Sequence, residues 1–136
     1  MFAMIVLERE LSRFHDKLNL VTTPSGLLVA MVHSNNGTGE YDSWISLFKE
    51  VIEITGNKVT TADLYDKLLS TSLKGNHDCG GLIAYNYLSG ETITGFSDGR
   101  PLFTRTLDSK FNLSNFMRAQ LFTSLCSLRI GLDILF

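Results

Sequence analysis

Gly80-Gly81-Leu82-Ile83-Ala84-Tyr85, Tyr87-Leu88-Ser89-Gly90-Glu91 and Asn112-Leu113-Ser114-Asn115-Phe116 carry the clearest structural signals of this chain. The first is a short apolar run behind two glycines, which is a strand signal, and the second is a polar loop. The third opens a long helix in which Met117, Leu121, Leu125, Leu128, Leu132 and Leu135 recur as one face. Between them, Ser89 to Thr106 carries Gly90, Gly95 and Gly99 at wide spacing with little periodicity. It reads as a long ordered loop with a short hairpin around Phe96 to Arg100.

Working outward, Gly75 to Gly81 is a polar turn and Leu82 to Asn86 the strand that follows it. Upstream, Tyr41, Trp44, Ile45, Phe48, Val51 and Ile52 have the spacing of one helix face, and Gly56-Asn57 suits a left-handed C-cap. A second helix starts at Thr60, whose hydroxyl can cap while Asp63 reaches back, with Leu64, Leu68 and Leu69 as its buried stripe. Leu18 to Thr23 and Leu27 to Val32 flank Thr23-Pro24-Ser25-Gly26, a hairpin signal. Phe2 to Leu7 is a continuous apolar run that reads as a strand buried on both faces. Arg9 to Lys17 is a charged surface connection with room for one helical turn. Strands, helices, another strand and a closing helix make an α/β fold, a mixed sheet with packed helices. With no repeat or linker in view, residues 1–136 read as a single, incomplete domain, because the chain starts in a strand and stops while a helical pattern is still running.

Composition narrows the function. A 136-residue chain that is 44% hydrophobic and 19% charged can build a core. Its 12 Lys and Arg against 14 Asp and Glu leave no basic excess for a nucleic acid. The apolar runs Phe2 to Leu7 and Leu27 to Val32 are far short of the ~20 residues that a membrane helix needs. Cys79 and Cys126, two lone thiols without a signal peptide, fit a reducing cytoplasm better than a disulfide framework.

The strongest chemical signal that stands on the residues alone is Asn35-Asn36-Gly37-Thr38-Gly39, a glycine-rich passage from strand to helix. Backbone amides there can approach an anion, and a helix N-terminus offers unpaired N–H groups. The plainer alternative is that the glycines shape a turn and Thr38 caps the helix. No Gly-x-Gly-x-x-Gly and no P-loop is present. His77 and Cys79 are too few for a structural zinc site, and His33 stands alone at a strand end. Cys126, between Leu125 and Leu128, reads as core, as do Trp44, Phe48 and Met117, whereas Arg118 and Arg129 read as solvent-facing. Glu91 reads as a solvated turn carboxylate, or as a group that orients a basic partner or positions its loop.

The order of Gly80 to Tyr85, Tyr87 to Glu91, Gly99-Arg100-Pro101-Leu102-Phe103 and the helix from Asn112 resembles the carboxy-terminal domain of the FGGY carbohydrate kinases, most closely their xylulokinase-like branch. Phe2 to Leu7 and Val29 to Phe48 fall where that branch has them, so the resemblance covers nearly the whole chain. It implies part of an RNase H-like, actin-type ATPase domain in a cytoplasmic ATP-dependent kinase. Its substrates would be a sugar and ATP with Mg2+, with homo-oligomers open and no catalytic base or metal ligand in this piece. Anchored on Trp44, it places Gly39 and Ser43 at the nucleotide. Where many relatives carry Arg after the loop glutamate, this chain has Thr92. Two other classes are open: a binding or oligomerisation module of the same fold, and an unrelated hydrolase using Asp42, Asp63 or Glu91.

Overall fold

The computed structural model describes residues 1–136. Strands β1 (Phe2–Val6), β2 (Asn19–Thr22) and β3 (Leu28–His33) form an antiparallel sheet in the order β1-β3-β2. β3 is central, with Phe2 opposite His33 on one side and Asn19 opposite Met31 on the other. The expected hairpin is present. Gly26 takes φ +85°, a left-handed conformation that suits glycine, and the Thr23 hydroxyl accepts from the Leu27 N–H at 3.0 Å. β1 departs from expectation. It lies at a sheet edge with Phe2, Met4 and Val6 exposed and Ala3 and Ile5 half-buried, because in this chain its outward face meets no second layer. Turns, with no helix, connect it to β2.

Helix α1 (Gly39–Ile54) buries Tyr41 and Ile45, and Gly56 follows it at φ +81°, as the C-cap signal predicts. Helix α2 (Thr61–Ser72) begins with the Thr60 hydroxyl accepting from the Asp63 N–H at 3.1 Å and donating to the Asp63 carboxylate at 2.7 Å. Leu64 and Leu68 point inward as expected, whereas Leu69 is exposed. Phe116 of helix α3 (Leu113–Leu135) joins these helices into one core, its ring edge-on to Trp44 at 4.8 Å between centroids.

Strand β4 (Ile83–Tyr85) pairs antiparallel with β5 (Leu102–Thr104), so both sheets are antiparallel and the α/β class holds without a parallel pair. The hairpin expected around Phe96 to Arg100 is absent. A side chain on Gly99 would collide with the backbone of Tyr87 and Ser89, so this segment lies against the preceding loop and does not fold on itself. A single bridge joins Glu91 to Phe96 around the tight helical turn Thr92–Thr94.

The closing helix carries the largest correction. Its buried residues are Asn115, Phe116, Met117, Ala119, Gln120, Thr123, Ser124, Ser127 and Gly131, not the leucine stripe. Leu121 against Gln120 and Leu128 against Ser127 differ by one position, about 100° of rotation. The leucines therefore flank the contact face. Leu128, Leu132 and Leu135 pack at the margin of the small cluster Leu18, Val32 and Ile93, while Leu125 and Cys126 are exposed. Small residues win the centre because the helix lies so close to the sheet that a Cβ on Gly131 would collide with Val32 and Ile93. Arg118 also departs from expectation. Its guanidinium donates to the Ser72 carbonyl at 3.3 Å, at the end of α2, and lies over the Phe122 ring. Arg129 is solvent-facing, paired with Asp133 at 2.7 Å.

Gly131→Val should therefore destabilise the domain by about 1–3 kcal/mol through overpacking. Leu125→Asp, on a side chain 44% exposed, should cost less than about 1 kcal/mol. Denaturant midpoints of the two variants check the helix rotation. Tyr41 gives a second test. It is buried with no partner for its hydroxyl, and burial pushes its pKa up to about 12 from an ordinary value near 10. Above pH 10 the unfolded chain gives up this proton and the folded chain keeps it, so the contribution is whole below pH 10 and lost as pH rises to about 12. Tyr41→Phe should gain about 1 kcal/mol at neutral pH and flatten that alkaline decline, read from denaturation curves between pH 8 and about 12.

Candidate functional site

The passage Ser34 to Thr38 leads from β3 into α1, and buried polar side chains tie it to the loop Asn86 to Glu91. Asn36 uses every valence of its amide. Its Oδ1 accepts from the Leu88 N–H at 2.9 Å and the Ser89 N–H at 3.0 Å. Its Nδ2 donates to the Ser89 carbonyl at 3.1 Å and to Glu91 Oε2 at 3.2 Å. From the far side, Asn86 Nδ2 donates to the carbonyls of Asn36 at 3.0 Å and Gly37 at 2.9 Å.

Glu91 closes the network. It is fully buried, not the solvated turn carboxylate of the plainer sequence reading. Oε1 accepts from the Asn35 N–H at 3.2 Å, and Oε2 accepts from the Ser34 hydroxyl at 3.2 Å and the Asn36 N–H at 3.0 Å. No cation pairs with it, so its charge is held by hydrogen bonds alone. Its reading as a group that positions its loop fits this geometry. The Tyr87 hydroxyl, accepting from Thr94 at 3.1 Å and Ser127 at 3.2 Å, fastens the same loop to α3.

The network leaves the start of α1 open. Thr38 has helical backbone angles and makes no side-chain cap, so the capping alternative does not hold. The first bond into the turn runs from the Asp42 N–H to the Thr38 carbonyl at 2.8 Å, and the N–H groups of Gly39, Glu40 and Tyr41 have no protein acceptor. Gly39 and Ser43 lie one turn apart, both exposed, with the Ser43 hydroxyl donating to the Gly39 carbonyl at 3.0 Å. That bond spends the serine's donor and leaves its oxygen as an acceptor. Leu88 sits beside the turn, its methyl 3.0 Å from where a Gly39 Cβ would be. An anion can meet three amides here. Glu40 and Asp42 in the first turn satisfy the helix dipole themselves and temper that attraction.

The structure brings Gly39 and Ser43 together with Leu88, Asn36 and Glu91 around one turn. Asn36, inside the glycine-rich passage, and Asn86, at the end of its strand, have no role assigned by the sequence alone. Their signal was position: each follows a strand by one to three residues, where a buried amide must answer the loop's own backbone. The hydrolase carboxylates are not assembled. Asp42 stands on α1, Asp63 is engaged with Thr60, and Glu91 is enclosed. Cys79 is buried, with burial raising its thiol pKa, in a left-handed backbone conformation at φ 55°. No helix is long and apolar enough to cross a membrane.

Among solved structures, the fold matches xylulose kinase from Bifidobacterium adolescentis with a TM-score of 0.69 and 19% sequence identity. The match covers 98% of this chain and 24% of that one. Xylulose kinase from Rhodospirillum rubrum matches with a TM-score of 0.67 and 18% identity, over 98% of this chain and 25% of that one. The chain thus spans about a quarter of the length of each. Among curated proteins, none matches the sequence. The sequence model for the FGGY family of carbohydrate kinases, C-terminal domain, matches residues 2–135, nearly the whole chain. With the open amide turn of α1 and the α/β arrangement already described, this chain belongs to the FGGY carbohydrate kinase family, as part of its carboxy-terminal, actin-like ATPase domain.

Proposed function

We propose that this chain is the nucleotide-side piece of an ATP-dependent sugar kinase similar to the xylulose kinases, in which Gly39 and Ser43 border the nucleotide. The observation that carries the reading is the turn Gly39 to Tyr41, three N–H groups without a protein acceptor at the head of a helix of 16 residues, in a domain of this family. Bound ATP supplies the phosphoryl group that a sugar hydroxyl receives. The amides of Gly39 to Tyr41 would hold phosphate oxygens, which need donors that cost no reorganisation. Ser43, with only its acceptor free, suits a hydroxyl donor such as that of a ribose. Mg2+ would arrive on the phosphates of the nucleotide. The sugar and the base that takes its proton would be met outside these residues. In this reading the enzyme works in the cytoplasm.

Two outcomes test the proposal. The isolated chain should show no sugar-dependent ADP release with a panel of pentuloses, because phosphoryl transfer needs an oriented acceptor as well as a nucleotide. Turnover by the pure chain would contradict it. In the kinase that carries this domain, Gly39→Val should obstruct the amide turn. The φ of Gly39 is not in the left-handed region and the nearest obstacle is the mobile tip of Leu88, so the fold should survive. Losing one amide bond to a charged oxygen, about 1.5–3 kcal/mol, corresponds to a KM for ATP raised about ten- to a hundredfold. Sugar affinity measured without nucleotide should stay near wild type. A folded variant with normal ATP kinetics and damaged sugar binding would put this turn on the wrong side of the cleft.

A further inference from the structure

We infer that Glu91 and Asn36 are positioning residues for the amide turn of α1, fixing Gly39 to Tyr41 in the direction from which a nucleotide phosphate is met; the inference rests on the nucleotide reading above. Between the end of β3 and the first residue of α1 there are five residues, Ser34 to Thr38, and their course sets where the free N–H groups of the helix point. The passage holds itself weakly. Its internal contact, the Ser34 hydroxyl to the Asn36 carbonyl at 3.4 Å, competes for the one proton that the hydroxyl gives to Glu91 at 3.2 Å, and Thr38 caps nothing.

Met1 pairs with the main chain of Ser34 at the start of the passage, and what fixes the rest comes from the loop Asn86 to Glu91. Each donor to the Glu91 carboxylate belongs to residues 34 to 36: the Ser34 hydroxyl, the Asn35 N–H, the Asn36 N–H and the Asn36 Nδ2. Successive main-chain N–H groups thus wrap an anion supplied by the protein. Asn36 returns the hold by accepting from the N–H of Leu88, whose side chain abuts Gly39. Glu91 and Asn36 are respectively 0% and 6% exposed, so water cannot take over lost bonds cheaply. The body of α1 has separate support, since Tyr41 and Ile45 sit in the main core. Loosening the clamp should therefore free the turn before it frees the helix.

The chemistry at Glu91 requires acceptors only. A glutamine there keeps the shape but turns an NH2 toward a donor, leaving at least one N–H facing another. Glu91→Gln is therefore the sharpest variant, with Glu91→Asp as the conservative one and Asn36→Ser as an independent route if Glu91→Gln does not fold.

The test is made in the kinase that carries this domain, well below each variant's melting temperature, with Arg129→Ala as the exposed control. Amide hydrogen exchange should quicken at Asn35, Asn36 and Asp42, whose N–H groups are bonded in the wild type, and stay unchanged across 61–72. The kcat/KM for ATP should fall between about 10- and 100-fold, as for a reacting group misplaced by about 1 Å, with the KM for the sugar unchanged. Glu91→Asp should recover part of the loss. Unchanged exchange at Asn35, Asn36 and Asp42 would overturn the inference, as would ATP and sugar constants that decline together with the melting temperature. A wild-type enzyme that does not use ATP would defeat the nucleotide reading instead, and would show it before any substitution is made.

Discussion

A carboxylate with no cation beside it is an expensive thing to bury, and Glu91 is fully buried. It is tolerated because residues 34 to 36 surround it with donors, two of them main-chain amides that would otherwise need partners of their own. The dependence runs both ways. Without the carboxylate those amides are orphans, and without the amides the charge is stranded. The two segments lie more than fifty residues apart in sequence, so this one interaction stitches the strand-to-helix passage of the first half to the loop that precedes the closing helix.

That stitch explains the composition of α3. Asn86 reaches the Gly-rich passage and also accepts from Thr123, while Tyr87 meets Ser127. A leucine at either helix position would push the loop away and leave the buried amide and phenol unpaired. From Gln120 onward the central face of the helix is accordingly hydroxyl, amide and glycine, with its leucines moved to the flanks. Glycine at 131 extends the same logic to β3, whose Val32 occupies the space a side chain would take.

Much of the fold was legible. The turn at Gly26, the cap at Thr60 and the helix end at Gly56 each follow from local chemistry, in which one residue's backbone freedom or hydroxyl decides the geometry. Periodicity also found α3 but gave it the wrong rotation, because hydrophobic spacing assumes that the buried face is the greasiest one. For Leu125 and Cys126 tertiary packing overrode that pattern. Glu91 was illegible in part for a similar reason. A carboxylate in a Gly-rich turn looks solvated until the chain brings its donors from a distant segment. Gly39 and Ser43 were reached through family resemblance. The structure adds an uncapped turn at that place, with the serine's donor already spent.

The absence of lysine and arginine from Leu18 to Phe48 gives the turn its character. The main-chain N–H groups that an anion would meet there are neutral and stand beside Glu40 and Asp42, so their direction counts for more than charge. A cationic site tolerates some misplacement because Coulomb attraction falls off slowly with distance, whereas a hydrogen bond weakens steeply as its angle departs from linear. A site made of amides therefore needs a backbone that does not wander. A network of buried Asn and Glu side chains, each with fixed donor and acceptor directions, supplies that constraint where a hydrophobic contact would allow sliding. The polar interior beneath the turn and the neutral amides at its head are two parts of the same solution.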